Sequence, residues 1–173
     1  MKAHFMMFAH YNRWANERVY RAARLLSDAD FHADQGAFFR SFAGTLNHIL
    51  VADQIWMRRF TGEGPKPTRL DETLAEHLDQ LTALRNAEDA RIIAFVEGLD
   101  EAALLTPLTY GPLTATGTFT QQLGALLAHF FNHQTHHRGQ ATALLTRLAG
   151  QDAVEPLDLA VFQRASGFGV VPN

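Results

Sequence analysis

The chain has no cysteine among its 173 residues. That absence removes thiolate nucleophiles, thiolate metal ligands and disulfide staples from the protein's own chemistry, so any reactive sulfur must arrive with a ligand. An excess of either charge is lacking too. Fifteen basic against 18 acidic residues leave a net charge of −3, which gives no general attraction to nucleic acid or to anionic membranes. No apolar run approaches the roughly 20 residues of a membrane-spanning helix. The N-terminal MKAHFMMFAHYNRW lacks the apolar core of a secretory signal. The expectation is a cytoplasmic protein with no membrane and no nucleic-acid partner. Internal repeats and low-complexity tracts are absent as well. What is present is a 47% hydrophobic composition, enough for one domain over residues 1–173 with a sizeable core. Nine histidines stand out, four of them between His129 and His137.

Those four lie in Thr120 to Gly150, TQQLGALLAHFFNHQTHHRGQATALLTRLAG. Leu123, Leu126, Phe130, Ala141, Leu144 and Leu148 recur at helical spacing. His133 and His137 interrupt this apolar stripe at its middle. Residues i and i+4 of a helix lie about 40° apart around the axis and about 6 Å along it, so both rings face inward and can point at one atom. One reading is a pair of core histidines with satisfied hydrogen bonds; the other is a metal site, imidazole being the commonest protein ligand. Gln134 follows the first histidine where zinc proteases carry a glutamate base, which argues against that mechanism.

His4 to Leu26 reads as an amphipathic helix with Phe5, Phe8, Asn12, Ala15, Val19, Ala22 and Leu26 on its seam. Asn12 is the polar exception, a register-fixing residue or a site residue. A polar connection to about Gly36 precedes a second helix, about Phe38 to Phe60, with Phe42, Ile49, Trp56 and Phe60 on its apolar face, His48 toward one rim, and Asp53 read as solvated. TGEGPKPTR (61–69) is a loop. A third helix is expected from about Asp71 to Gly98, with Leu74, Leu78, Leu81, Ile92 and Phe95 inward and Arg85, Glu88, Asp89 and Arg91 on its solvated side. LLTPLTYGPLTATGT (104–118) predicts a small β-hairpin or extended crossover, a connection that lets the third and fourth helices run in the same direction. A short C-terminal helix is expected within Glu155 to Ala165, followed by a loose SGFGVVPN tail. The fold class is therefore all-α, a four-helix bundle.

YNRWAN (11–16), LNHILVADQIW (46–56) and LAHFFNHQTHHRGQ (127–140) together resemble the DinB family of damage-inducible and thiol-dependent metalloenzymes. The resemblance runs from the first helix to the fourth. It implies a four-helix bundle in up-down-down-up order, and it implies that His48, His133 and His137 are the metal ligands. Three neutral imidazoles suit zinc or nickel, with iron and copper as further candidates. No fourth protein ligand is evident, and an open coordination position is the catalytic pattern. Gln140 shares the angular wedge of His133 and His137, which makes it a candidate to hold a ligand's far ring nitrogen. His129 and Asn12 are further candidates around the site, while His136 faces outward. A site role for Asn16 is a guess, Arg138 points sideways into an ion pair, and Gly139 permits close helix approach.

By the same resemblance the protein is a metal-dependent enzyme that uses a low-molecular-weight thiol such as glutathione, mycothiol or bacillithiol in transfer or isomerisation. No catalytic base is assignable. The alternative is a stress- or damage-inducible protein that binds metal without turnover. Pairing into a homodimer through bundle helices, and a small-molecule substrate, are further implications. The family's damage-inducible label raises DNA binding, against which the net negative charge and the lack of a basic recognition helix both argue.

Overall fold

The computed structural model describes residues 1–113 and 115–171. Four long helices carry the chain: α1 (Lys2–Ala23), α3 (Phe42–Thr61), α4 (Leu78–Gly98) and α5 (Leu123–Ala149), with a short α2 (Asp28–His32) and a terminal α6 (Leu159–Ser166). α1 packs on α4 and α5, α3 packs on the same two, and α6 rests on α1. No described helix is long and apolar enough to cross a membrane.

The apolar stripes close into two principal core clusters. Val19, Phe31, Phe42, Leu46, Leu50 and Leu145 belong to the first. Phe5, Met57, Ile92, Val96, Leu126 and Phe130 belong to the second. On each long helix a run of buried polar residues falls between its contributions to the two: Asn12 and Asn16 on α1, Asp53 on α3, Arg85 and Asp89 on α4, Gln134 and Arg138 on α5. Every residue of α3 from Thr45 to Met57 is buried, so α3 is the helix most enclosed by the others.

The expectation that Asp53, Arg85, Glu88 and Asp89 face water is overturned, since all four are buried. Arg91 is half-buried and bonds Glu88 at 2.9 Å. Leu81, Arg85, Asp89, Ile92 and Val96 fall on one stripe of α4 at steps of three and four, so the apolar pattern continues through the charges. These charges are tolerated because they neutralise one another across helices. Arg85 Nη1 lies 2.5 Å from Asp53 Oδ2 and Nη2 lies 3.0 Å from Asp89 Oδ1. Gln134 donates to Asp53 Oδ1 at 2.8 Å, and Asn12 and Asn16 donate to Asp89 Oδ1 at 3.1 and 3.0 Å. Arg138 does not point sideways into an ion pair. It is buried and donates to the side-chain oxygens of Asn12 and Asn16. Burial opposes the Arg85 charge, yet Asp89 and Asp53 together hold its proton more firmly than usual.

Four helix starts differ from the sequence expectation, each for a structural reason. α3 begins at Phe42, not about Phe38, because Arg40 takes a left-handed conformation (φ 65°) and Ser41 caps the helix by accepting from Gly44 N–H at 3.0 Å. Gly44 leaves room for the incoming chain, since a Cβ there would run into the Phe39 carbonyl. α4 begins at Leu78, not about Asp71, because Asn47 captures the preceding backbone. Its Oδ1 accepts from Leu74 and Ala75 N–H, and its Nδ2 donates to the Ala75 carbonyl. α5 begins at Leu123 because Thr120–Gln122 belongs to a hairpin in which β1 (Pro107–Tyr110) pairs antiparallel with β2 (Phe119–Gln122). Gly111 and Pro112 follow β1 in the connection between the two strands. At the C-terminus the helix starts at Leu159, not Glu155, and Tyr11 fastens the segment before it by donating to the Leu157 carbonyl at 2.7 Å.

Candidate metal centre

α3 and α5 pack face to face, and His48 on α3 meets His133 and His137 on α5. One ring nitrogen from each lies within 4.8 Å of the other two. Ring centroids are 5.3 Å apart for His48 and His133, 4.4 Å for His48 and His137, and 4.4 Å for His133 and His137. His48 and His137 are buried and His133 is half-buried.

Hydrogen bonding sets the tautomers. His48 Nδ1 is 2.8 Å from the Leu70 carbonyl, which can only accept, so Nδ1 carries the proton. His137 Nδ1 is 2.8 Å from Gln140 Oε1, and the Gln140 amide turns its nitrogen toward His136. Both rings are thus left with a bare Nε2, and these two atoms face each other at 3.2 Å. Two lone pairs at that separation repel unless a proton or a metal cation lies between them. Burial disfavours the proton: it pushes His48 down to about 4, against the bond to Leu70. Burial, then the neighbouring imidazoles, pushes His133 down to about 3. His137 is lowered as well, by burial, with Gln140 acting in the opposite direction. Two nitrogens each about 2.0–2.1 Å from a tetrahedral zinc ion sit about 3.3–3.4 Å apart. The donor set therefore fits a borderline divalent ion such as zinc, nickel, iron or copper.

The surroundings are asymmetric. On one side Phe39 stacks on the His48 ring at 3.6 Å between centroids. On the other, a cavity of about 240 Å³ is lined by His48, His133, His129, Trp56, Arg59 and Tyr110 among others. His129 stands at its edge, its ring 5.2 Å from Trp56 and 6.0 Å from His133. His136 is exposed beside His137. Asn12 and Asn16 bond to Asp89 and Arg138 in the buried polar layer and make no hydrogen bond to the three histidines. Gly139 has open space where its side chain would be.

Phe39, the Leu70 carbonyl and Arg59 went unread in the sequence. Phe39 falls in a segment expected to start a helix, and Leu70 precedes the Leu74–Ala75 backbone that the Asn47 side chain holds on α3. Only Arg59 left a signal, since His48, Ala52, Trp56 and Arg59 follow steps of four, four and three along one face.

The DinB family model matches residues 1–166. Protein DinB of Bacillus subtilis (strain 168) is 30% identical over 162 residues, covering 88% of this chain and 89% of that protein. This chain belongs to the DinB family. The match spans all four long helices, so the three-histidine cluster lies wholly within the DinB region.

A pH prediction follows from the tautomers. Below pH 6.5, three ordinary imidazoles would be protonated and would lose metal about 1,000-fold by pH 5.5. Here the folded rings titrate lower, so the expected loss between pH 7.5 and 5.5 is under about tenfold, read by competition with a chromogenic chelator. The metal-free protein is expected to show the linked effect. Its unfolded chain takes up protons first as pH falls below about 6.5, so stability is lost from there through about 4, where His48 titrates, to about 3, where His133 does. The urea midpoint should fall across that window.

Proposed function

We propose that this DinB-family protein is a metal-dependent enzyme acting with a low-molecular-weight thiol, in a transfer or isomerisation reaction. The observation that carries the reading is the pair of bare Nε2 atoms facing each other at 3.2 Å beside a cavity that two of the three histidines line. His48, His133 and His137 would hold the ion, and Leu70 and Gln140 would keep two of the rings in the coordinating tautomer. A bound divalent ion supplies Lewis acidity that lowers the pKa of a coordinated thiol and makes thiolate available near neutral pH. The absence of cysteine is consistent with sulfur that comes from a cosubstrate. His129 and Tyr110 are the side chains of the cavity able to exchange a proton with a bound ligand. Phe39 covers His48 on one face and limits solvent there. Up-down-down-up helix order, pairing into a homodimer and a cytoplasmic location are part of the same proposal.

The test uses protein purified without an affinity tag and loaded in turn with zinc, nickel, iron(II) or copper. Each form is offered an electrophile with glutathione, mycothiol or bacillithiol. The expected result is thiol consumption that needs both metal and protein. Stoichiometric metal retention with no consumption above that of the free metal would overturn the enzyme reading in favour of metal binding without turnover.

A further inference from the structure

Arg59 is a half-buried cation on the wall of the cavity that opens beside His48 and His133. Its guanidinium carbon lies 4.5 Å from the Trp56 ring centre and 5.0 Å from that of Tyr110. Its one hydrogen bond among the described residues is from Nη2 to the Gly111 carbonyl, 2.9 Å. That leaves donors on Nε and Nη1 without a described partner. No acidic side chain lines the cavity, and none forms a salt bridge with Arg59 among the described residues. Three other half-buried or buried arginines have acidic partners, Arg85 with Asp53 and Asp89, Arg91 with Glu88 and Arg18 with Glu155, while half-buried Arg58 gives Nη1 to the Gly64 carbonyl at 2.7 Å and does not line this cavity. Arg138 bonds two asparagine oxygens in the closed interior. Among the described residues Arg59 is the arginine that combines few partners with a place on the cavity beside the histidines.

We infer that Arg59 is the specificity-determining residue of a carboxylate subsite, and that the ligand is a small carboxylic acid with a short apolar body. Its carboxylate accepts from the Arg59 guanidinium, its body lies against Trp56, Ile55 and Leu113, and its other end faces His48 and His133. The inference deepens the enzyme reading above and rests on it only for what happens at that other end.

Five observations choose this ligand class. A single guanidinium balances a single negative charge, and its planar fork matches a carboxylate in a two-bond pairing. A phosphate dianion calls for a second cation or a backbone N–H nest; the cavity beside the histidines holds neither a second arginine nor a lysine, Arg58 and Lys66 lining instead the adjoining groove that Arg59 borders. The aromatic faces of Trp56 and Tyr110 flatten the guanidinium's surroundings and fix its plane, so less freedom is lost when it pairs. At about 240 Å³ the space is below the roughly 300–1,000 Å³ of drug-sized sites, which restricts it to a metabolite-sized ligand. The spacing along α3 aligns the two ends. His48 and Arg59 are eleven residues apart on one helical face, roughly 16 Å along the axis between their backbones. A ligand that pairs with Arg59 therefore extends along the helix toward the histidines.

The experiment needs neither metal nor turnover. Trp56 is one of only two tryptophans, so in a Trp14→Phe background its fluorescence reports on this cavity. The metal-free full chain is titrated with hexanoate, with the matched neutral hexanamide and with inorganic phosphate. The expected result is saturable hexanoate binding, with hexanamide and phosphate each at least about tenfold weaker. Arg59→Met should reduce hexanoate to the hexanamide level. Arg59→Lys, which keeps the charge and loses the fork, should fall between. Urea midpoints establish that each variant is folded, and if Arg59→Met is not, Arg59→Lys and the hexanoate–hexanamide pair decide. Equal binding of acid and amide, tighter binding of phosphate, no hexanoate binding, or hexanoate binding unchanged in the folded Arg59 variants would overturn the assignment. Failure here leaves the thiol assay standing, and a silent thiol assay with Arg59-dependent hexanoate binding removes only the catalytic reading.

Discussion

Replacing His133 with alanine is expected to reduce bound metal from one ion per chain to none detectable, in protein purified untagged and measured by elemental analysis. The effect follows from the donor count. Only three ligand nitrogens converge, so the loss of one leaves two imidazoles, and no fourth His, Asp, Glu or Cys joins them among the described residues. A graded comparison comes from Gln140→Leu. That change keeps all three donors but removes the oxygen that holds His137 Nδ1–H at 2.8 Å. Loss of such an outer partner costs about 10–100-fold in metal affinity, and loss of the ligand itself should exceed it. The fold should survive the His133 change. His133 is half-buried and makes no hydrogen bond among the described residues, so the metal-free variant should unfold close to the metal-free parent. Metal retained at full stoichiometry by His133→Ala would sink the three-histidine site.

Asp53→Leu is expected to be the most destabilising single change in the polar layer, by about 3–5 kcal/mol, because it strips a buried cation of one of its two carboxylates. Arg85 and Asp53 are 2% and 1% exposed, so water cannot substitute for the lost partner. Gln134, which donates to the other Asp53 oxygen, would also be left with an unpaired buried amide. A domain of this size is stable by only about 5–15 kcal/mol, so the variant should show a large fall in urea midpoint. The double variant Asp53→Leu/Arg85→Met removes both charges together and should recover most of the loss. If the double variant is no more stable than Asp53→Leu alone, the cost lies in packing and not in an orphaned charge. Neither change touches the histidines directly, so metal stoichiometry in the folded fraction separates this layer from the metal centre.

Local patterns in the chain already carried the four long helices, a small hairpin or extended crossover ahead of the last of them, and the projection of His133 and His137 to one side. Each depends on residues a few positions apart, where helical or strand geometry alone sets direction. His48 was not legible in that way. Eighty-nine residues separate it from His137, and only the likeness of LNHILVADQIW to the DinB family pointed to it before the packing of α3 on α5 brought the rings together. The buried charges were misread for the same reason in reverse. Arg85 and Asp89 lie on the apolar stripe of α4, but charge alone suggested water. Whether such a group can leave water depends on a partner from another helix, here Asp53 on α3 and the asparagines of α1. Phe39 over His48, the Leu70 carbonyl on its far nitrogen and the vacant donors of Arg59 belong to this second kind. Periodicity determines which way a side chain leaves its own helix, whereas the cost of burying it, and the chemistry it can then do, are decided by what the other helices place opposite.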